Sequence, residues 1–74
     1  MFKYQVRIDT GTDVANFVRI AESLHYEITI ENGDGTKRGN AKTLLNVVDA
    51  MIYDKIYVIS DNDMYTPFRD FILN

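Results

Sequence analysis

Polar and apolar residues alternate without a fault from residue 2 to residue 9, with Phe2, Tyr4, Val6 and Ile8 on one side and Lys3, Gln5, Arg7 and Asp9 on the other. That is the pattern of a half-buried strand. Thr10-Gly11 breaks it, Thr12 or Asp13 is placed to cap a helix, and Val14, Phe17, Val18, Ala21 and Leu24 then recur at helical spacing. Asn16, Arg19, Glu22 and Ser23 form the outer face of that helix. From Tyr26 the period returns to two: Tyr26, Ile28 and Ile30 oppose Glu27, Thr29 and Glu31. Asn32-Gly33-Asp34-Gly35 then turns the chain back into a short, polar third strand over residues 36–39. A strand of that kind suits a sheet edge, where charge discourages pairing with other chains.

Asn40 is placed to cap a second helix running to about Met51, with Leu44, Val47, Val48 and Met51 as its apolar stripe, widened by Leu45 and Ala50. Ile56, Tyr57, Val58 and Ile59 are apolar in succession, which marks residues 55–60 as a central strand. Asp61-Asn62-Asp63 closes it. Pro67 follows Thr66 as a first-turn proline follows a cap, and Phe68, Phe71 and Ile72 make a short last helix. The order βαββαβα, with clean alternation in the first two strands, predicts an α+β fold. It is an open-faced two-layer sandwich whose four-stranded antiparallel sheet carries its helices on one face.

Composition narrows the chemistry. The 74 residues make one domain, 1–74, with no repeat or linker, and 46% hydrophobic with 26% charged residues is ordinary globular usage. Cysteine is absent and there is one histidine, which removes thiol chemistry, disulfides and zinc or iron–sulfur ligation, so neither a metal nor a cofactor is expected. A net charge of −3 argues against nucleic acid as partner. No apolar run approaches the ~20 residues that span a bilayer, and the reading is a cytoplasmic protein without a membrane partner.

The segment Asn40-Ala41-Lys42-Thr43-Leu44-Leu45-Asn46-Val47-Val48 resembles the N-L-K-S-I-M-G-V-M stretch that opens the second helix of the histidine-containing phosphocarrier proteins (HPr) of the bacterial sugar phosphotransferase system. The Thr10-Gly11 break, Phe17-Val18-Arg19-Ile20-Ala21 followed by Leu24, the glycine-containing hairpin and the apolar fourth strand before a terminal helix are similar as well. The resemblance spans nearly the whole chain. It implies the strand order 1-4-2-3, whereas a ferredoxin-like domain of the same element order would read 4-1-3-2.

One departure decides the chemistry. The family's loop T-G-x-H-A-R-P places a phosphoacceptor histidine at the start of helix one, and here Thr10-Gly11-Thr12-Asp13-Val14-Ala15 stands in its place, with no histidine or arginine between Ile8 and Val18. Histidyl phosphotransfer is therefore not expected, and the chain reads as a non-enzymatic regulatory or protein-interaction domain. Asp13 reads as a helix cap, and His25 lies at the far end of helix one with no base or ligand beside it in sequence. By the resemblance, Thr43 matches a regulatory phosphorylation position, and Lys37, Arg38 and Lys42 are the cations that could neutralise a phosphate there. Leu44, Leu45 and Val48 match the family's partner surface. At least one of the three is expected to face the core, with Leu45, off the main stripe, outside it.

Two other functions lack their residues. An RNA-recognition module needs aromatics on the exposed sheet face, and Lys37-Arg38-Gly39-Asn40 has none; an acylphosphatase needs an arginine-bearing glycine loop after strand one. The alternative carried forward is a ferredoxin-like small-molecule-sensing or dimerisation domain, with a second copy of the chain, rather than another protein, as its partner.

Overall fold

The computed structural model describes residues 1–52 and 55–73. The elements follow in the order β1 (Phe2–Val6), α1 (Gly11–Ser23), β2 (Thr29–Asn32), β3 (Arg38–Asn40), α2 (Leu44–Ala50), β4 (Ile56–Ser60) and α3 (Tyr65–Phe68). The four strands form one antiparallel sheet in the order β1-β4-β2-β3. This is the open-faced α+β sandwich that the pattern predicts, and its strand order is not the 4-1-3-2 of a ferredoxin-like domain.

Alternation decides which residues meet. Tyr4 and Ile30 both pair with Val58, and Val6 and Asn32 with Ile56, on the helix-covered side; Lys3 and Thr29 meet Ile59, and Gln5 and Glu31 meet Tyr57, on the other. The core gathers Val6, Ile30, Ile56 and Val58 of the sheet under Val14, Phe17, Val18 and Ala21 of α1 and Val47 and Ala50 of α2. Phe17 is fully enclosed, with its ring 4.6 Å from Phe68 and 5.4 Å from Phe71. The C-terminal segment covers the far end of the β1 edge: Arg7 N–H donates to the Phe71 carbonyl (2.8 Å) and Leu73 N–H to the Gln5 carbonyl (2.9 Å).

Several boundaries differ from the sequence expectation, each for a local reason. Thr10, rather than Thr12 or Asp13, caps α1: its Oγ accepts from Asp13 N–H (3.1 Å), while the Asp13 carboxylate accepts from Thr10 N–H (3.2 Å), a reciprocal capping box. Asn40 does not cap α2. It closes β3, and the next residue, Ala41, extends the ladder by donating to the Ile28 carbonyl (2.9 Å), so the chain turns over residues 40–43 before the helix can begin at Leu44. β2 is regular only from Thr29, and β3 begins only at Arg38 because Asn32 anchors the turn before it. Its Oδ1 accepts from Lys37 N–H, its Nδ2 donates to Thr36 Oγ, and Gly35 takes φ +76°. α3 starts at Tyr65, whose N–H donates to Asp63 Oδ1 (3.0 Å), and Pro67 occupies its first turn, where a missing N–H loses no helical bond.

The phase of α2 is the largest correction. Val47 and Ala50 are buried and Met51 half-buried, whereas Leu44 and Val48, expected in the inward stripe, face outward. At ~100° per residue, that is a rotation of roughly 60° from the expected stripe. The close approach of Asn46 to Gly39 fixes it: a Cβ on Gly39 would lie 2.7 Å from the Asn46 Cβ, so this side of the helix is pressed against β3.

Candidate functional site

Because α2 is turned this way, none of Leu44, Leu45 and Val48 faces the core. Their exposures are 54%, 72% and 43%, and Ile52, one turn beyond Val48, is 79% exposed. Leu44, Leu45 and Val48 lie within an arc of roughly 100° on α2, and Ile52 is exposed just past the end of the helix at Ala50. Three large aliphatics exposed on one face of a short helix, with a fourth exposed just past its end, are apolar surface of the kind that marks contact with another molecule. Ile52 also borders a groove of about 260 Å³ between α2 and the β2–β3 hairpin, floored by Ile30 and Ala50 and rimmed by Lys37, Asn46 and Asp49. Sequence reasoning missed Ile52. It lies past the end of the helix, expected at about Met51 and found at Ala50, so helical spacing assigns it no face.

Thr43 stands at the head of the stripe as the N-cap residue of α2, exposed and without a side-chain capping bond. Lys37, Arg38 and Lys42, the cations expected to neutralise a phosphate there, do not converge on it. Lys42 Nζ donates to the Leu24 carbonyl (2.8 Å), tying the end of α1 to the approach to α2. Arg38 Nε donates to Glu31 Oε2 (2.7 Å) on the open side of the sheet, and Lys37 lines the hairpin groove.

At the start of α1 the Asp13 side chain is engaged by the backbone. One Asp13 oxygen receives both the Asp9 and Thr10 amides, so this carboxylate serves as a cap. His25 lies exposed just beyond Leu24, the C-cap of α1. A groove of about 610 Å³ runs between α1 and the C-terminal segment, and Arg7 within it is paired with Asp9 at 2.8 Å. Among the described residues no group of three or more histidines or carboxylates could hold a metal, and no helix is long and apolar enough to cross a membrane.

The open side of the sheet holds a residue whose burial the sequence did not announce. Glu31 alternates outward, yet it is only 3% exposed because Lys3 and Arg38 close over it: Lys3 Nζ lies 3.0 Å from Oε1, and Arg38 Nε 2.7 Å from Oε2. Burial alone would raise the Glu31 carboxyl, but the ionic hydrogen bonds from Lys3 and Arg38 outweigh it and hold the group below the ordinary carboxylate value. Lys3 Nζ also sits 4.7 Å from the centre of the Tyr57 ring. The signal was present in the pairing of strands, since Arg38 is directly opposite Glu31.

Neither the protein-family models nor the curated proteins contain a match to this chain. A functional reading therefore rests on the residues and their geometry.

Proposed function

We propose that this chain is a non-catalytic protein-interaction domain that docks a partner protein on the outer face of α2. The observation that carries the reading is the solvent-facing run of Leu44, Leu45 and Val48 on α2, with Ile52 exposed just beyond the helix. Covering them would remove apolar surface from water at about 25 cal/mol per Å², and their side chains project from a helix that the β3 contact already holds in place. The resemblance to the phosphocarrier proteins supports the same helix as a partner surface and a regulatory rather than phosphotransferring member. With no imidazole from Thr10 to Ala15, incubation with the general phosphotransferase enzyme and phosphoenolpyruvate should leave no acid-labile phosphate on the chain. Phosphohistidine at His25 would contradict this.

Thr43 extends the proposal to regulation. Its hydroxyl makes no capping bond, and a phosphate there would bring a charge of about −2 to the head of the apolar stripe and weaken docking. The test of the docking surface itself is affinity capture from the source cytoplasm by the wild-type chain and by Leu45→Lys. A protein retained by the first and lost from the second identifies the partner; identical retention removes the α2 surface from consideration. Sedimentation of the isolated chain distinguishes a second copy as the occupant, since a dimer dissolved by Leu45→Lys would place self-association on this face.

A further inference from the structure

We infer that the groove between α2 and the β2–β3 hairpin is a binding site for a small zwitterion, a free amino acid with an aliphatic side chain. Strand pairing brings the first charge to it. Ile30 stands opposite Gly39 and Glu31 opposite Arg38, and at the next step of the ladder Asn32 N–H donates to the Lys37 carbonyl (3.2 Å). Lys37 therefore lies on the same side of the sheet as Gly39, facing α2. Helical spacing brings the second charge. Asn46, Asp49 and Ala50, at i, i+3 and i+4, share one side of α2, and Asn46 is the residue that presses on Gly39. The two layers touch where the strand has no side chain and part beyond it, so Lys37 and Asp49 stand on opposite walls of a groove of about 260 Å³.

Neither charge is used inside the chain. Among the described residues Lys37 and Asp49 form no ion pair, their side chains make no hydrogen bond, and the half-buried Asn46 amide has no hydrogen-bond partner either. The other polar groups of the lining are spent: Asn32 holds the hairpin turn, and Arg38 donates Nε to Glu31 on the other side of the sheet (2.7 Å). One cation, one anion and an amide around a floor of Ile30 and Ala50 set the chemistry of the occupant. Its carboxylate pairs with the Lys37 ammonium and its ammonium with the Asp49 carboxylate; the Asn46 amide offers a donor and an acceptor, and the aliphatic side chain lies on the apolar floor. A simple anion or cation would leave one of the two charges unanswered. The volume falls just below the ~300 Å³ at which drug-sized pockets begin, which suits a molecule of amino-acid size rather than a nucleotide. The site is independent of the docking reading, since Leu44, Leu45 and Val48 lie outside it.

The experiment is a titration of the isotopically labelled chain with L-leucine, read by amide NMR shifts and repeated with N-acetyl-L-leucine and L-leucinamide, each of which lacks one of the two charges. Saturable shifts centred on Lys37, Gly39, Asn46 and Asp49 are expected, with each blocked derivative binding roughly tenfold more weakly. Lys37→Gln and Asp49→Asn should each weaken leucine binding by a similar factor. Lys37→Arg and Asp49→Glu, which keep the charges, should retain it, and Leu45→Lys should leave it unchanged. Thermal unfolding checks that the variants are folded, and should one fail to fold, the blocked derivatives on the wild-type chain carry the test. Absence of saturable shifts up to roughly 10 mM leucine, a concentration at which even a weak small-ligand site fills, would overturn the proposal. Shifts centred elsewhere, equal binding of the blocked derivatives, or unchanged affinity in both charge-removing variants would do the same. Tighter binding in either variant would mean that Lys37 and Asp49 pair with each other across the groove, and that too would overturn it.

Discussion

α1 and α2 are both amphipathic helices laid on the same side of one sheet, yet they treat their apolar residues differently. In α1, Val14, Phe17, Val18 and Ala21 all turn inward, and its start is fixed by the Thr10–Asp13 capping box. In α2, Val47 and Ala50 alone are fully buried, no side chain caps the start, and Leu44, Leu45 and Val48 are left in water. The inward residues of α1 close the core around Phe17, whereas α2 is set by a backbone approach at Gly39 and keeps more aliphatic surface than the core can use. That exposed aliphatic surface is the ground of the docking proposal.

The comparison breaks most severely at Phe17. Phe17→Ala should cost about 3–5 kcal/mol, which is the whole net stability expected of a domain this small, so the chain should lose its cooperative thermal transition. Gly39→Ala should be next. The added methyl would collide with Asn46 and push α2 off β3, at about 1–3 kcal/mol by denaturant unfolding. If it is neutral, the tight β3 contact does not set the phase of α2. The caps give the sharpest pairing: Thr10→Ala should cost about 1 kcal/mol, and Thr43→Ala less than about 0.5, because only the first threonine makes a capping bond. Equal losses would erase the difference drawn between the two helix starts.

Acid should expose the other half of the structure, the polar clusters of the sheet and its turn. Glu31 is held below its ordinary value as described, and Asp34 is lowered by hydrogen bonds from the Thr36 backbone N–H and hydroxyl. A carboxylate with a depressed folded pKa stabilises the fold above its unfolded pKa of about 4, and that contribution disappears as pH falls through the folded value. Stability measured by denaturant should therefore decline between about pH 5 and pH 2, with a shallower slope in Glu31→Gln. An unchanged slope would mean that the Lys3 and Arg38 contacts do not hold Glu31 ionised.

How much of this was legible in the sequence follows from which forces act locally. Strand alternation and the apolar run Ile56–Ile59 place β4 at the centre of the sheet, and its neighbours β1 and β2 follow the resemblance to the phosphocarrier proteins. The α1 stripe is equally clear, since Val14, Phe17, Val18 and Ala21 admit one inward face. The α2 stripe is not. Leu44 through Val48 offers apolar residues on more than one side, and the choice is made by a tertiary contact, Gly39 against Asn46, that no local spacing encodes. Glu31 was hidden for a similar reason, because its burial comes from two side chains on other strands. Thr10 is legible in principle, because Thr10-x-x-Asp13 has the spacing of a reciprocal cap.

The most direct measurement is the affinity of the captured partner, once purified, for the wild-type chain and for Leu45→Lys, with thermal unfolding of both recorded alongside. Leu45 is 72% exposed, so its replacement should change stability by about 0.5 kcal/mol or less and leave the cooperative transition in place. The docking account predicts that binding falls at least about tenfold while unfolding is nearly unchanged. Equal affinity would contradict it, and so would loss of the folded state, because a core role for Leu45 would remove the exposed face on which the account rests.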